Sequence, residues 1–187
     1  MTPLAIPEVL LITPKRHGDA RGWFSETWSQ RAFEASGLSH DFVQDNQAFS
    51  AKPGTVRGLH FQQAPAAQAK LVRVLKGAIY DVAVDIRAGS ATYGQWVGAT
   101  LTAAGGEQLL VPRGFAHGYC TLTDDTELFY KVDGAYAPQL EGGVAWNDPD
   151  LAIAWPLDGE PVLSEKDQKL PRLKDMPRDV LRFGAFP

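Results

Sequence analysis

The stretch Ala78-Ile79-Tyr80-Asp81-Val82-Ala83-Val84-Asp85-Ile86-Arg87 places Tyr80, Val82, Val84 and Ile86 on one side and Asp81, Asp85 and Arg87 on the other. Strict period-two alternation is the mark of a half-buried β-strand. Working outward, similar short runs predict strands at Val9 to Ile12, Phe42 to Phe49, Thr55 to Gln62, Leu71 to Leu75, Gln95 to Leu101, Gln108 to Val111, Gly118 to Leu122 and Thr126 to Val132. Turn residues punctuate them: Pro53-Gly54, Lys76-Gly77, Ala88-Gly89-Ser90, Gly105-Gly106 and Thr123-Asp124-Asp125. Many short strands at regular spacing predict a mainly β antiparallel sandwich or barrel. Only Ser29 to Ser36 and segments after Ser164 carry a helical pattern. From Asp148 onward the chain is richer in proline and charge, which predicts a segment wrapped around the outside.

With 187 residues, 44% of them hydrophobic, the chain suits one domain spanning 1–187. A domain of this size buries about 70% of its unfolded surface. Its 18 basic and 22 acidic residues leave a net charge of −4. That balance argues against a nucleic-acid-binding surface as a whole-protein property and leaves room for a local basic pocket. One cysteine, Cys120, excludes an intrachain disulfide framework and fits a reducing compartment. It reads as a small buried hydrophobe. Met1 to Thr13 lacks the layout of a secretory signal, and no run approaches about 18 apolar residues. The expectation is a soluble, cytoplasmic protein with no membrane association.

Several common machines are absent. There is no Gly-x-Gly-x-x-Gly after a strand, no Gly-x-x-x-x-Gly-Lys-Ser/Thr and no Gly-x-Ser-x-Gly. Small β-barrels often hold metals with His-x-His plus a later histidine. Here the histidines are His17, His40, His60 and His117, and Gln62 stands where a second ligand would follow His60. Glutamine is a poor ligand for zinc or iron, so no metal is expected.

Chemistry concentrates in Val56-Arg57-Gly58-Leu59-His60-Phe61-Gln62. Plain alternation puts His60 and Arg57 on opposite faces. A bulge at Gly58 would re-aim one of them; otherwise His60 is a core histidine and Arg57 an outward arginine. Tyr130 shares a face with Leu128 and Val132, so its hydroxyl needs a partner, as a general acid or within a packed core. Ser164-x-x-Asp167 resembles a helix capping box, yet a carboxylate near His60 would fix its tautomer and raise its basicity. Lys70 follows the run Ala64 to Ala69 and is placed at a loop-strand junction near the barrel mouth, or simply in solvent. Arg21, beside Trp23 and Phe24, suits a diphosphate and a stacked base. Gln44, Asp45 and Asn46 interrupt an apolar run; such groups read a base edge or finish an edge strand.

Taken together, Arg21-Gly22-Trp23-Phe24-x-Glu26, Gln44-Asp45-Asn46, Arg57-Gly58-Leu59-His60-Phe61-Gln62, Lys70-Leu71-Val72-Arg73, Asp81 to Arg87, Phe115-Ala116-His117-Gly118, Tyr130-Lys131, Trp146-Asn147-Asp148 and Ser164-x-Lys166-Asp167 resemble the dTDP-4-dehydrorhamnose 3,5-epimerase family. The likeness runs in order from Gly18 to Asp167.

The resemblance implies a cupin-type jelly roll with short peripheral helices, a homodimer, no metal or other cofactor, and a dTDP-4-keto-6-deoxyhexose substrate. It implies His60 as base, Asp167 as its orienting partner, Tyr130 as acid and Lys70 as stabiliser of an enolate oxygen. Arg57 and His117 would line the sugar-diphosphate site. Arg21, Glu26, Gln44, Asp45, Asn46, Glu141 and Lys166 would bind nucleotide and phosphates, some across a dimer interface. One departure stands out: Ala135-Tyr136-Ala137-Pro138 replaces a pair of adjacent aromatics, which either weakens stacking on the base or moves that role to Tyr136 or Trp23. Single-centre epimerisation of a related sugar, a non-catalytic sugar-nucleotide-binding cupin and a metal-dependent cupin oxygenase are the competing readings.

Overall fold

A computed structural model of the chain describes residues 1–178 and 181–183; positions 179–180 and 184–187 of the expected domain lie outside the described residues. The strands are β1 (Thr2–Pro3), β2 (Leu10–Ile12), β3 (His17–Asp19), β4 (Gly22–Phe24), β5 (Gln44–Ser50), β6 (Val56–Gln62) and β7 (Lys70–Lys76). They continue as β8 (Ala78–Asp85), β9 (Trp96–Thr102), β10 (Gln108–Val111), β11 (Phe115–Thr121), β12 (Thr126–Val132) and β13 (Glu141–Gly143). One α-helix, α1 (Gln30–Ala35), and short 3-10 turns at Pro138–Leu140, Asp167–Lys169 and Leu173–Asp175 complete the set.

Six strands form one sheet in the order β1-β2-β10-β7-β12-β5, and five form a second in the order β13-β6-β11-β8-β9; β3 and β4 make a separate hairpin. The named pairings are antiparallel, and the two sheets enclose a common core. This is the expected mainly β, cupin-type jelly roll. Val72, Val74 and Leu128 from the first sheet meet Ile79, Ala83 and Leu101 from the second. Each such aliphatic side chain contributes roughly 1.5–3 kcal/mol when fully withdrawn from water.

The alternation in β8 is correct, but its polar face is not solvated. Asp81 and Asp85 are both fully buried. Ile79 and Ala83 point into the space between the sheets, whereas Val82, Val84 and Ile86 pack on the opposite side against Leu151, Leu173, Leu181 and Phe183 of the C-terminal segment. The wrapping segment therefore covers the most apolar face of the strand, and the acidic face looks inward. The predicted strand at Gly118 begins earlier, at Phe115, so β11 includes His117. β3, β4 and β13 carry no apolar alternation and were not expected. On the outer side of the six-stranded sheet, Phe33 of α1 packs with Ile12, Leu71 and Leu110.

Candidate active site

His60 reaches the inter-sheet space through an irregularity in β6. His117 of β11 lies opposite His60, but Tyr119, two residues on, lies opposite Arg57, three residues back, so the register slips by one. This is the bulge anticipated at Gly58, and it turns Arg57 and His60 toward one cavity. Gly58 has φ +128°, and a Cβ there would stand 2.6 Å from Gly118 Cα and 2.8 Å from the His117 carbonyl oxygen. No side chain fits that gap.

His60 Nε2 donates to Asp167 Oδ1 at 2.6 Å. The carboxylate is nearly inaccessible, with 4% of its side chain exposed. The capping motif is half realised: the Asp167 backbone N–H donates to the Ser164 hydroxyl at 3.1 Å, while the Asp167 side chain turns to the histidine instead of back to the turn. Burial lowers the His60 pKa from its usual value; Asp167 opposes that shift, and the charges of Lys70 and Lys166 reinforce it. The imidazole is thus held neutral, with Nε2–H pinned and Nδ1 left as the basic nitrogen.

The opposite wall comes from the six-stranded sheet. Lys70 opens β7 and Tyr130 lies on β12, with Val132 paired to Lys70 and Tyr130 to Val72. Both line the cavity with His60. Burial pulls the Lys70 ammonium down to about 8, against the attraction of Asp81 and Glu141. Burial also raises the Tyr130 pKa, so the phenol keeps its proton. The start of β7 is held by Asp133, whose carboxylate accepts from the Ala69 N–H at 2.7 Å and from Arg113 Nε and His40 Nδ1 at 3.1 Å.

The cavity has two connected lobes that share His60, Lys70 and Tyr130. One, of about 320 Å³, extends toward Gln44, Asn46, Tyr136 and Glu141. The other, of about 400 Å³, extends toward Arg57, His117, Tyr119 and Lys166. These volumes fall in the range of small-molecule sites. Arg57 is anchored by donation to the Phe49 carbonyl at 2.9 Å. Lys166 pairs with Glu141 at 2.6 Å, and Tyr136 donates to the same carboxylate at 3.1 Å.

Three expected binders do not line this cavity. Arg21 is largely exposed on the β3–β4 hairpin and pairs with Asp19, Asp45 is exposed and pairs with Lys131, and Glu26 precedes α1. Tyr119, Gln62 and Gln68 line the cavity without having been expected there, and a buried carboxylate behind it was also missed. Asp81 binds His117 Nε2 at 2.7 Å, a second buried histidine–carboxylate pair beside the first, and its other oxygen has no partner among the described residues. Its position on the inward face of β8 could have signalled it, had the direction of that face been known. Among the described residues no group of three or more His, Cys, Asp or Glu side chains stands together as a metal site.

The chain is similar to known proteins along nearly its whole length. A dTDP-4-dehydrorhamnose 3,5-epimerase from Sinorhizobium fredii is 51% identical over 174 residues, covering 93% of this chain and 89% of that protein. The crystal structure of a Bacillus anthracis dTDP-4-dehydrorhamnose 3,5-epimerase with TDP and PPi bound superposes with a TM-score of 0.88 at 50% identity, covering 90% of this chain and 96% of that one. A Legionella pneumophila dTDP-6-deoxy-D-glucose-3,5-epimerase in complex with dTDP-4-keto-L-rhamnose gives 0.94 at 41% identity, covering 99% and 98%. A Streptomyces niveus dTDP-4-dehydrorhamnose 3-epimerase also matches, at 41% identity over 90% of this chain and 81% of that protein. The model of the dTDP-4-dehydrorhamnose 3,5-epimerase family matches residues 3–175, and the chain belongs to that family.

Proposed function

We propose that this protein inverts C3 and C5 of dTDP-4-keto-6-deoxy-D-glucose to give dTDP-4-keto-L-rhamnose, as an isomerase of dTDP-L-rhamnose biosynthesis. The carrying observation is the His60–Asp167 pair at 2.6 Å, in a cavity whose facing wall bears Tyr130 and Lys70.

The C4 ketone acidifies the C–H bonds at C3 and C5. Neutral His60 takes a proton through Nδ1, and the electron pair moves into an enolate whose oxygen Lys70 meets with its ammonium. Asp167 stabilises the imidazolium that forms. Tyr130, from the other sheet, returns a proton to the opposite face of the carbon, inverting it. Exchange with solvent then takes the proton from the His60 imidazolium and returns one to the Tyr130 phenolate, and repetition at the second carbon completes the reaction with no net change in atoms or oxidation state. Arg57, His117 and Lys166 bind the sugar diphosphate from one lobe, and Gln44, Asn46 and Glu141 hold the nucleotide side from the other.

The working unit is a homodimer in which each chain lends Arg21, Glu26 and Asp45 to the nucleotide end of the other's cavity. Supporting this are the exposed Trp23, Phe24, Val43 and Phe49, at 56%, 70%, 64% and 53%. Large exposed apolar side chains are a mark of association surfaces. Light scattering should give the mass of two chains. The span 1–187 acts as one domain in the cytoplasm; the family match over residues 3–175 and the C-terminal leucines packed on β8 support the single domain.

The deciding experiment incubates the protein with dTDP-4-keto-6-deoxyglucose in heavy water and follows deuterium by NMR. Label at both C3 and C5 is expected. Label at C3 alone would favour the second reading, a single-centre epimerase like the Streptomyces relative, and no label would leave a binding protein.

A further inference from the structure

Gln62 stands where a metal-binding β-barrel would carry a second histidine, and its amide is spent on backbone instead. It is the last residue of β6, two positions beyond His60, and only 5% exposed. Its Nε2 donates to the Ala66 carbonyl at 2.7 Å and to the Ala135 carbonyl at 3.2 Å. Its Oε1 accepts from the Ala137 N–H at 2.7 Å. The amide orientation is forced, because carbonyls require a donor and the N–H an acceptor.

Two of these three partners bracket Tyr136. That residue is 56% exposed, so packing does little to hold it. Its backbone N–H donates to Gln44 at 3.3 Å, and its hydroxyl reaches Glu141 at 3.1 Å, where the ring walls the cavity beside Tyr130 and His60. The segment joining β12 to β13 is therefore clamped to the strand that bears the catalytic histidine. A carboxylate supplies only acceptors and a thioether neither good donor nor good acceptor, so the clamp requires an amide of this length.

Resting on the epimerase reading, we infer that Gln62 is a positioning residue that sets Tyr136 as a wall of the sugar-nucleotide pocket, and that it acts on substrate capture through Tyr136 rather than on proton transfer. Loosening the clamp removes binding shared by ground and transition states, which raises KM more than it lowers kcat.

The test is a cycle of Gln62→Met, Tyr136→Ala and the double variant, assayed for turnover of dTDP-4-keto-6-deoxyglucose. Gln62→Met should raise KM about tenfold with kcat held within about threefold. In the Tyr136→Ala background the same change should move KM by less than about twofold. An unchanged KM in Gln62→Met, or its full effect persisting without the Tyr136 ring, overturns the inference. If Gln62→Met does not fold, Gln62→Glu enters the same cycle, since it keeps the acceptor for Ala137 and loses the donors; the same two results decide. A wild-type protein inactive on this sugar would instead refute the epimerase reading, and the cycle would then be read from calorimetric binding of dTDP.

Discussion

His60 Nε2 and Asp167 Oδ1 stand 2.6 Å apart although 107 residues separate them in the chain. The carboxylate fixes which imidazole nitrogen carries the proton, and in the proposed mechanism Nδ1 then takes one from carbon. Asp167→Asn should cut deuterium incorporation at C3 and C5 by roughly 10²- to 10⁴-fold with the β circular dichroism unchanged. A variant within tenfold of wild type would remove Asp167 from this role.

Activity should follow a bell-shaped pH profile. His60 must be neutral to act as a base, and burial lowers its pKa, so activity falls as pH drops through a value below the usual histidine figure. Lys70 must be charged to meet the enolate oxygen, so activity falls again as pH rises through about 8. Lys70→Met should lower kcat and abolish the alkaline limb; a limb that persists in the variant belongs to another group.

Tyr130→Phe keeps the ring and deletes the proton. Exchange of substrate hydrogen at one carbon should survive, because His60 is untouched, while net double inversion falls by about 10²-fold or more. Separate NMR readouts of exchange and product distinguish the two. Undiminished inversion would show that another donor delivers the proton.

Gly58→Ala should be severe and Gly22→Ala mild. At Gly58 a Cβ meets backbone at 2.6 Å and φ is +128°, whereas at Gly22, with φ +136°, nothing lies within 4 Å. The first should lower the thermal midpoint by roughly 5–12 °C and the second by only a few degrees. Equal shifts would mean that the close approach to Gly118 has no energetic weight.

The strands were legible because alternation is local. Gln108–Val111 and Thr126–Val132 match their predicted limits, since each element's apolar pattern is set by its own residues. The hairpin of β3 and β4 was not legible, because three exposed residues per strand carry no burial pattern. The motifs of the active site could be listed by resemblance, and Gly58 could be suspected of a bulge because alternation alone kept Arg57 and His60 apart.

By itself, the sequence determined a mainly β chain, its strand positions and the residue types available for proton transfer, because propensity and alternation act between neighbours. Only the tertiary structure decided which face of each strand turns inward. In β8 the apolar side is covered by the C-terminal segment, so Asp81 is directed to His117 inside the sandwich. It also decided that Asp167 meets His60, that Lys70 and Tyr130 face them from the other sheet, and that Gln62 clamps the Tyr136 segment. Those contacts join residues far apart in the chain, and nothing local encodes a distance across the space between two sheets.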